Sequence, residues 1–147
     1  MSEPHSHNGI DNLRVYFHDV RERTELICHT IQGTAALTAS NYGVYFIAPK
    51  PCIVLQVREV HQVAGTGAGG VTVDVEKLTG TQALDSGVSV MSTAISLKLT
   101  ANTVQIGAMS PTITNRRLAE GDRLAAKDTG TLTSVSNVTL ITEIQYQ

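Results

Sequence analysis

The sequence predicts an all-β protein, a jelly roll or β-sandwich of about eight short antiparallel strands with an N-terminal arm. Three observations carry this. Strand-like runs recur at roughly 8–15-residue intervals, punctuated by Gly, Asp, Asn and Thr. Val71, Val73 and Val75 alternate strictly with Thr72, Asp74 and Glu76, the period of a half-buried strand. No long segment follows the 3.6-residue period of a helix, and no period of 20–50 residues repeats.

The 147 residues suit one packed domain, divided here into a tail and arm over 1–23 and a β domain over 24–147. Aromatic residues make up 4% and Trp is absent, so the core falls to Val, Ile, Leu and Ala. A core of small side chains gains from an oligomer interface, because small domains bury a limited share of their own surface.

Residues 1–12 are polar and read as a flexible tail. The segment NLRVYFHDVRER that follows is either a turn or two of helix or an extended arm. It packs over its own domain or lies on a neighbouring subunit, with Arg14, Tyr16, Phe17, Arg21 and Arg23 as the partner-binding candidates. Thr24–Ile31 is the first strand. In the second, Asn41–Ala48, alternation puts Tyr42, Val44 and Phe46 on one face and Tyr45 and Ile47 on the other. Pro49 and Pro51 bracket a turn, since neither can donate to a ladder.

Ile53–Val63 is the longest candidate. Glu59 and His61 interrupt its apolar face, which predicts a bulge or a polar patch there. After the Val71–Lys77 strand, Leu78–Thr93 is irregular and allows a short helical turn at Val88–Ser92. Ile95–Leu99, Thr103–Ile106, Thr112–Asn115 and Arg123–Ala126 are further short strands. In the last strand Val138, Leu140, Ile144 and Tyr146 share a face.

Gly65-Thr66-Gly67-Ala68-Gly69-Gly70 matches G-x-G-x-x-G in form. A dinucleotide site needs a helix after the last Gly, whereas a strand follows, so a flexible hairpin loop is expected. Cys28 and His29 are adjacent and point to opposite strand faces, which defeats a nucleophile–base pair. There is no G-x-S-x-G elbow. Asp74 and Glu76 read as an outward surface pair rather than glycosidase carboxylates. Glu59 with His61 reads as an interface patch before it reads as an acid–base pair or half a metal site. His5 and His7 belong to the solvated tail. Cys28 and Cys52 are expected as buried, reduced thiols. No catalytic residue, cofactor or metal is expected.

Net charge is −2 with mixed signs, which gives no basic footprint for nucleic acid. No apolar stretch approaches the roughly 20 residues of a membrane span. The N-terminus lacks the apolar run of a signal peptide, predicting synthesis and folding in the cytoplasm.

Gly121 and Asp122 make a tight corner from Leu118 to Leu124 that launches a strand. VEKLTGTQALDSGVSVMSTAISLKLTANTV and LAEGDRLAAKDTGTLTSVSNVTLITEI together resemble a β module of tailed-bacteriophage virion proteins, among them capsid decoration (cement) proteins and head or tail fibre proteins. The Leu118–Leu124 corner is also similar to one in tumour necrosis factor-like and complement-like jelly rolls, which are threefold trimers. The resemblance spans the C-terminal half to two-thirds of the chain. It implies a homotrimer on the capsid exterior that binds the major capsid protein and clamps neighbouring subunits. The alternatives are a receptor- or glycan-binding fibre module and a cupin-type enzyme, for which Glu59 and His61 supply only a fragment of the ligand set.

Overall fold

A computed structural model describes residues 23–31, 43–132 and 134–147. It is an antiparallel β-sandwich of the jelly-roll class. Among the described residues there are ten strands: β1 (Thr24–Ile31), β2 (Gly43–Ile47), β3 (Cys52–Val60), β4 (Thr72–Leu78), β5 (Val88–Ser89), β6 (Ile95–Ser96), β7 (Gln105–Ile106), β8 (Arg117–Leu118), β9 (Arg123–Thr129) and β10 (Val138–Tyr146). One sheet, here sheet A, runs β1-β10-β3-β7, with β8 also on β3. The other, sheet B, runs β2-β9-β4-β5, with β6 also on β4.

The inner faces meet in an aliphatic core. β10 alternates perfectly and buries Val138, Leu140, Ile144 and Tyr146, as its sequence period demands. Thr142, the polar member of that face, is also buried. It hydrogen-bonds the Tyr45 hydroxyl at 2.8 Å, which ties sheet A to sheet B. Val54 and Val57 from β3 face Val73, Val75, Leu124 and Ala126 across the same core. Burying such side chains stabilises by about 1.5–3 kcal/mol each.

The Leu118–Leu124 corner forms as its sequence requires. Gly121 takes φ +84°, and the Asp122 carboxylate accepts from Ala119 N at 2.8 Å. Leu118 and Leu124 then enter the core on either side.

Several expectations are corrected. Thr112–Asn115 is not a strand. A single helical turn, α1 (Ile113–Arg116), follows Pro111, and the Ser110 hydroxyl accepts from Thr112 N and Asn115 Nδ2 at 3.3 and 3.2 Å. Side-chain bonds of this kind compete with a ladder. The reverse holds at Val88–Ser92, where Val88–Ser89 pairs with β4 instead of coiling. In β2 a register shift between Val44 and Phe46 turns both Tyr45 and Phe46 toward the core and leaves Val44 and Ile47 exposed. The bulge expected near Glu59 lies earlier, where β10 passes from Gln56 to Val54 and skips Leu55.

The Gly65–Gly70 loop is no hairpin: it carries the chain from β3 in sheet A to β4 in sheet B. Lys98 Nζ donates to its Gly67 and Gly69 carbonyls at 3.0 and 3.2 Å. The loop thus turns oxygens toward a cation, the wrong polarity for a phosphate cradle. Both cysteines are free thiols, but only Cys52 is buried; Cys28 is exposed. The odd residues of β1 face inward, so Cys28 points out and the His29 ring stacks on Tyr45 at 4.9 Å.

Candidate interaction surface

The outer faces of the two sheets differ. Sheet B is covered by its own chain over β4 and β9, while Val44 and Ile47 stay exposed on β2 at its edge. The segment 79–88 folds over it, and Glu76 accepts from Asp85 N at 2.7 Å and from Gly87 N at 3.1 Å. Arg123 donates to the Gly80 and Gln82 carbonyls at 3.0 and 2.9 Å, and Lys127 pairs with Asp85. Leu78 and Glu76 are consequently buried although they point outward. The expectation of a surface role for Glu76 therefore fails, since its carboxylate is the anchor of this cover.

Sheet A has no such cover among the described residues, and its outer face is rich in apolar side chains. Opposite residues of antiparallel strands share a face. The register therefore lines up Cys28, Ile141, Arg58 and Ile106 in one row across β1, β10, β3 and β7. Leu26, Glu143 and Gln56 form the next row, and Thr30, Thr139 and Val60 the row on the other side. Leu26 and Ile106 are 65% exposed and Val104 is 60% exposed. Arg58 and Glu143 join at 3.3 Å in the middle of this face, a partly exposed pair contributing under about 1 kcal/mol. A hollow of about 90 Å³ lies beside Val60, Val104 and Ile141. A second of about 280 Å³ lies beside Ile95, Leu99 and Ile106. Exposed apolar side chains thus stand at both margins of this face, Leu26 on one side and Val104 and Ile106 on the other, and exposed apolar surface can mark an interaction site.

Beneath the rim sit Glu59 and His61, both buried within one subunit rather than at an interface. His61 Nδ1 is 2.9 Å from Glu59 Oε1, and Nε2 donates to the Leu99 carbonyl at 3.0 Å. The pair fastens β3 to the segment bearing Leu99, and Asn102 N adds a bond to the His61 carbonyl at 2.8 Å. Burial raises the Glu59 carboxyl above its ordinary value, against the opposing effect of His61. Both groups are closed to any substrate, so the geometry is that of a brace. Among the described residues no group of three or more His, Cys, Asp or Glu gathers as a metal site requires. No helix among them is long and apolar enough to cross a membrane.

Of the binding candidates read from the sequence, Arg14, Tyr16, Phe17 and Arg21 lie outside the described residues, as do His5 and His7. Arg23 is exposed. It reaches Glu25 at 3.3 Å, and its carbonyl accepts from Tyr146 N at 3.2 Å. Leu26, Val104 and Ile106 were not foreseen as surface. Val104 and Ile106 share a strand face, but only the pairing of β7 with β3 shows that this face is the outer one.

No protein-family model matches the chain, and no curated protein matches it in sequence. Its fold, however, recurs in two phage heads. A chain of the cyanophage Pam1 capsid asymmetric unit superposes with a TM-score of 0.58 at 11% identity, covering 100% of this chain and 92% of that one. A chain of the capsid of Ralstonia phage GP4 superposes with a TM-score of 0.61 at 13% identity, covering 86% and 84%. At these identities the likeness is one of fold: this chain has an all-β fold similar to that of chains in these two phage capsids.

Proposed function

We propose that this chain is a structural virion protein: a decoration or cement protein that binds the outer surface of a phage head as a homotrimer and strengthens contacts between major capsid proteins. The observation that carries the reading is the extent of the fold likeness. It spans nearly the whole of this chain and of the Pam1 capsid chain, so an entire small β-sandwich recurs in a head. Two further features support it. The outer face of sheet A offers apolar area that a partner would cover. The buried Glu59–His61 brace leaves the one acid–base pair of the strand without access to a substrate, which favours a role without chemistry.

In this reading residues 1–23 form an arm, and Arg14, Tyr16, Phe17, Arg21 and Arg23 make its contacts. Aromatic and Arg side chains ordered on contact bind at an entropic cost, which many copies on one shell offset by mass action.

The test is co-sedimentation of the purified chain with phage heads from which it has been genetically removed. Saturable binding to the intact outer surface is expected, weakened by Tyr16→Ala and Phe17→Ala. No binding to intact heads would overturn the proposal.

A further inference from the structure

The outer face of sheet A presents exposed apolar side chains, and the chain carries a segment suited to cover them. We propose that residues 13–22 of one copy lie across this face of a neighbouring copy. The inference rests on the reading of the chain as an oligomeric virion protein and names the surface that its arm engages.

The point at which the arm joins the fold is the first argument. Arg23 still accepts a ladder bond from Tyr146, so the chain leaves β1 in line with the edge strand of sheet A. Between Leu13 and Ile31 there is no Gly, Pro or Asn. A return onto its own outer face requires a tight reversal just before Thr24, and residues 20–23 include no Gly, Pro, Asn, Asp or Ser to make it. The direct path leads away from the parent subunit.

Length and chemistry agree. Ten extended residues reach about 33 Å, while four strands about 4.8 Å apart span only about 15 Å. The segment can therefore cross a neighbour's sheet A from β1 to β7. In an extended arm Val15 and Phe17 fall on one side, with Tyr16 on the other. The hollows beside β7, of about 90 and 280 Å³, are of a size to receive such side chains. The rim residues there, Val104, Leu99 and Ile106, are among the most exposed large apolar side chains of the fold.

Native Cys28 supplies the probe, because it stands exposed on this face while Cys52 is buried. In the full chain carrying Y16C, a short bis-maleimide is expected to join the new thiol to Cys28 of another copy. Covalent dimers and larger species appear on a denaturing gel, and a mixture of tagged and untagged chains gives mixed products. C28S in the same chain abolishes them. Cross-links confined within single chains, an assembled oligomer giving none, or a monomer by sedimentation at micromolar concentration would each overturn the proposal. Binding of the uncross-linked protein to heads is scored separately. Cross-linked copies that ignore heads leave this inference standing and remove the decoration reading.

Discussion

Nδ1 of His61 lies 2.9 Å from Oε1 of Glu59, with both side chains sealed from solvent beneath the apolar face of sheet A. Nε2 faces the Leu99 carbonyl, which can only accept, so that nitrogen carries a hydrogen. Removing the ring strands a buried carboxyl group. His61→Ala should cost about 3–5 kcal/mol, as for other broken buried pairs.

The same pair gives a pH signature. Burial raises the Glu59 pKa in the folded protein, so the native state holds this proton more tightly than the unfolded chain. That contribution is complete below the ordinary carboxylate pKa of about 4.3 and is lost as pH rises through the folded value. His61 opposes the shift, so His61→Ala should steepen the fall of Tm with rising pH across the acid range. Adding Glu59→Gln should flatten it again. Parallel profiles for wild type and His61→Ala would contradict the assignment.

The bond from Tyr45 to Thr142 joins the sheets at 2.8 Å, and burial raises the phenol so that it stays protonated. Tyr45→Phe and Thr142→Val each leave one buried hydroxyl unpaired and should cost about 1–3 kcal/mol in urea unfolding. The double variant should cost less than the sum. Additive losses would mean that the bond carries no coupling.

Gly121 and Gly130 both hold positive φ, at +84° and +88°, but in different surroundings. A Cβ at Gly121 meets open space, whereas one at Gly130 collides with the Gly70 carbonyl. Gly121→Ala should cost about 1 kcal/mol of backbone strain. Gly130→Ala should cost clearly more, because two backbones must part. Equal losses of Tm would contradict the close approach.

Thiol reactivity separates the two cysteines. Cys28 is exposed, and Cys52 is buried with its pKa pushed up to about 11 by burial, with Asp122 and Glu25 adding to the shift. A maleimide should modify Cys28 in the folded protein and Cys52 only after unfolding. Rapid double modification of the native state would contradict the placement of β3.

The elements with a clean period were legible from the sequence. β10 alternates without interruption, β4 does so as far as Val75, and the Gly121–Asp122 corner carries its own backbone logic. The irregular parts were not. Ser110 accepts from Thr112 N and Asn115 Nδ2 beside a helical turn where the sequence suggested a strand over Thr112–Asn115, and the β2 bulge turns Phe46 inward. Both depend on one side-chain bond or one unpaired residue, which a two-residue period does not encode. The candidate surface was the least legible. Leu26, Val104 and Ile106 fall in short strand runs whose period does not say which face is outer, and only the position of β1 and β7 at the margins of sheet A places them outside.

Under the proposed role, this chain cements a phage head. Heads lacking it should release their DNA at a lower temperature or under milder chelation than complete heads, and adding the purified protein back should restore retention. Restoration by wild type, with a weaker effect from Phe17→Ala, is the predicted result. Heads equally stable with and without the protein, despite saturating binding, would contradict the account.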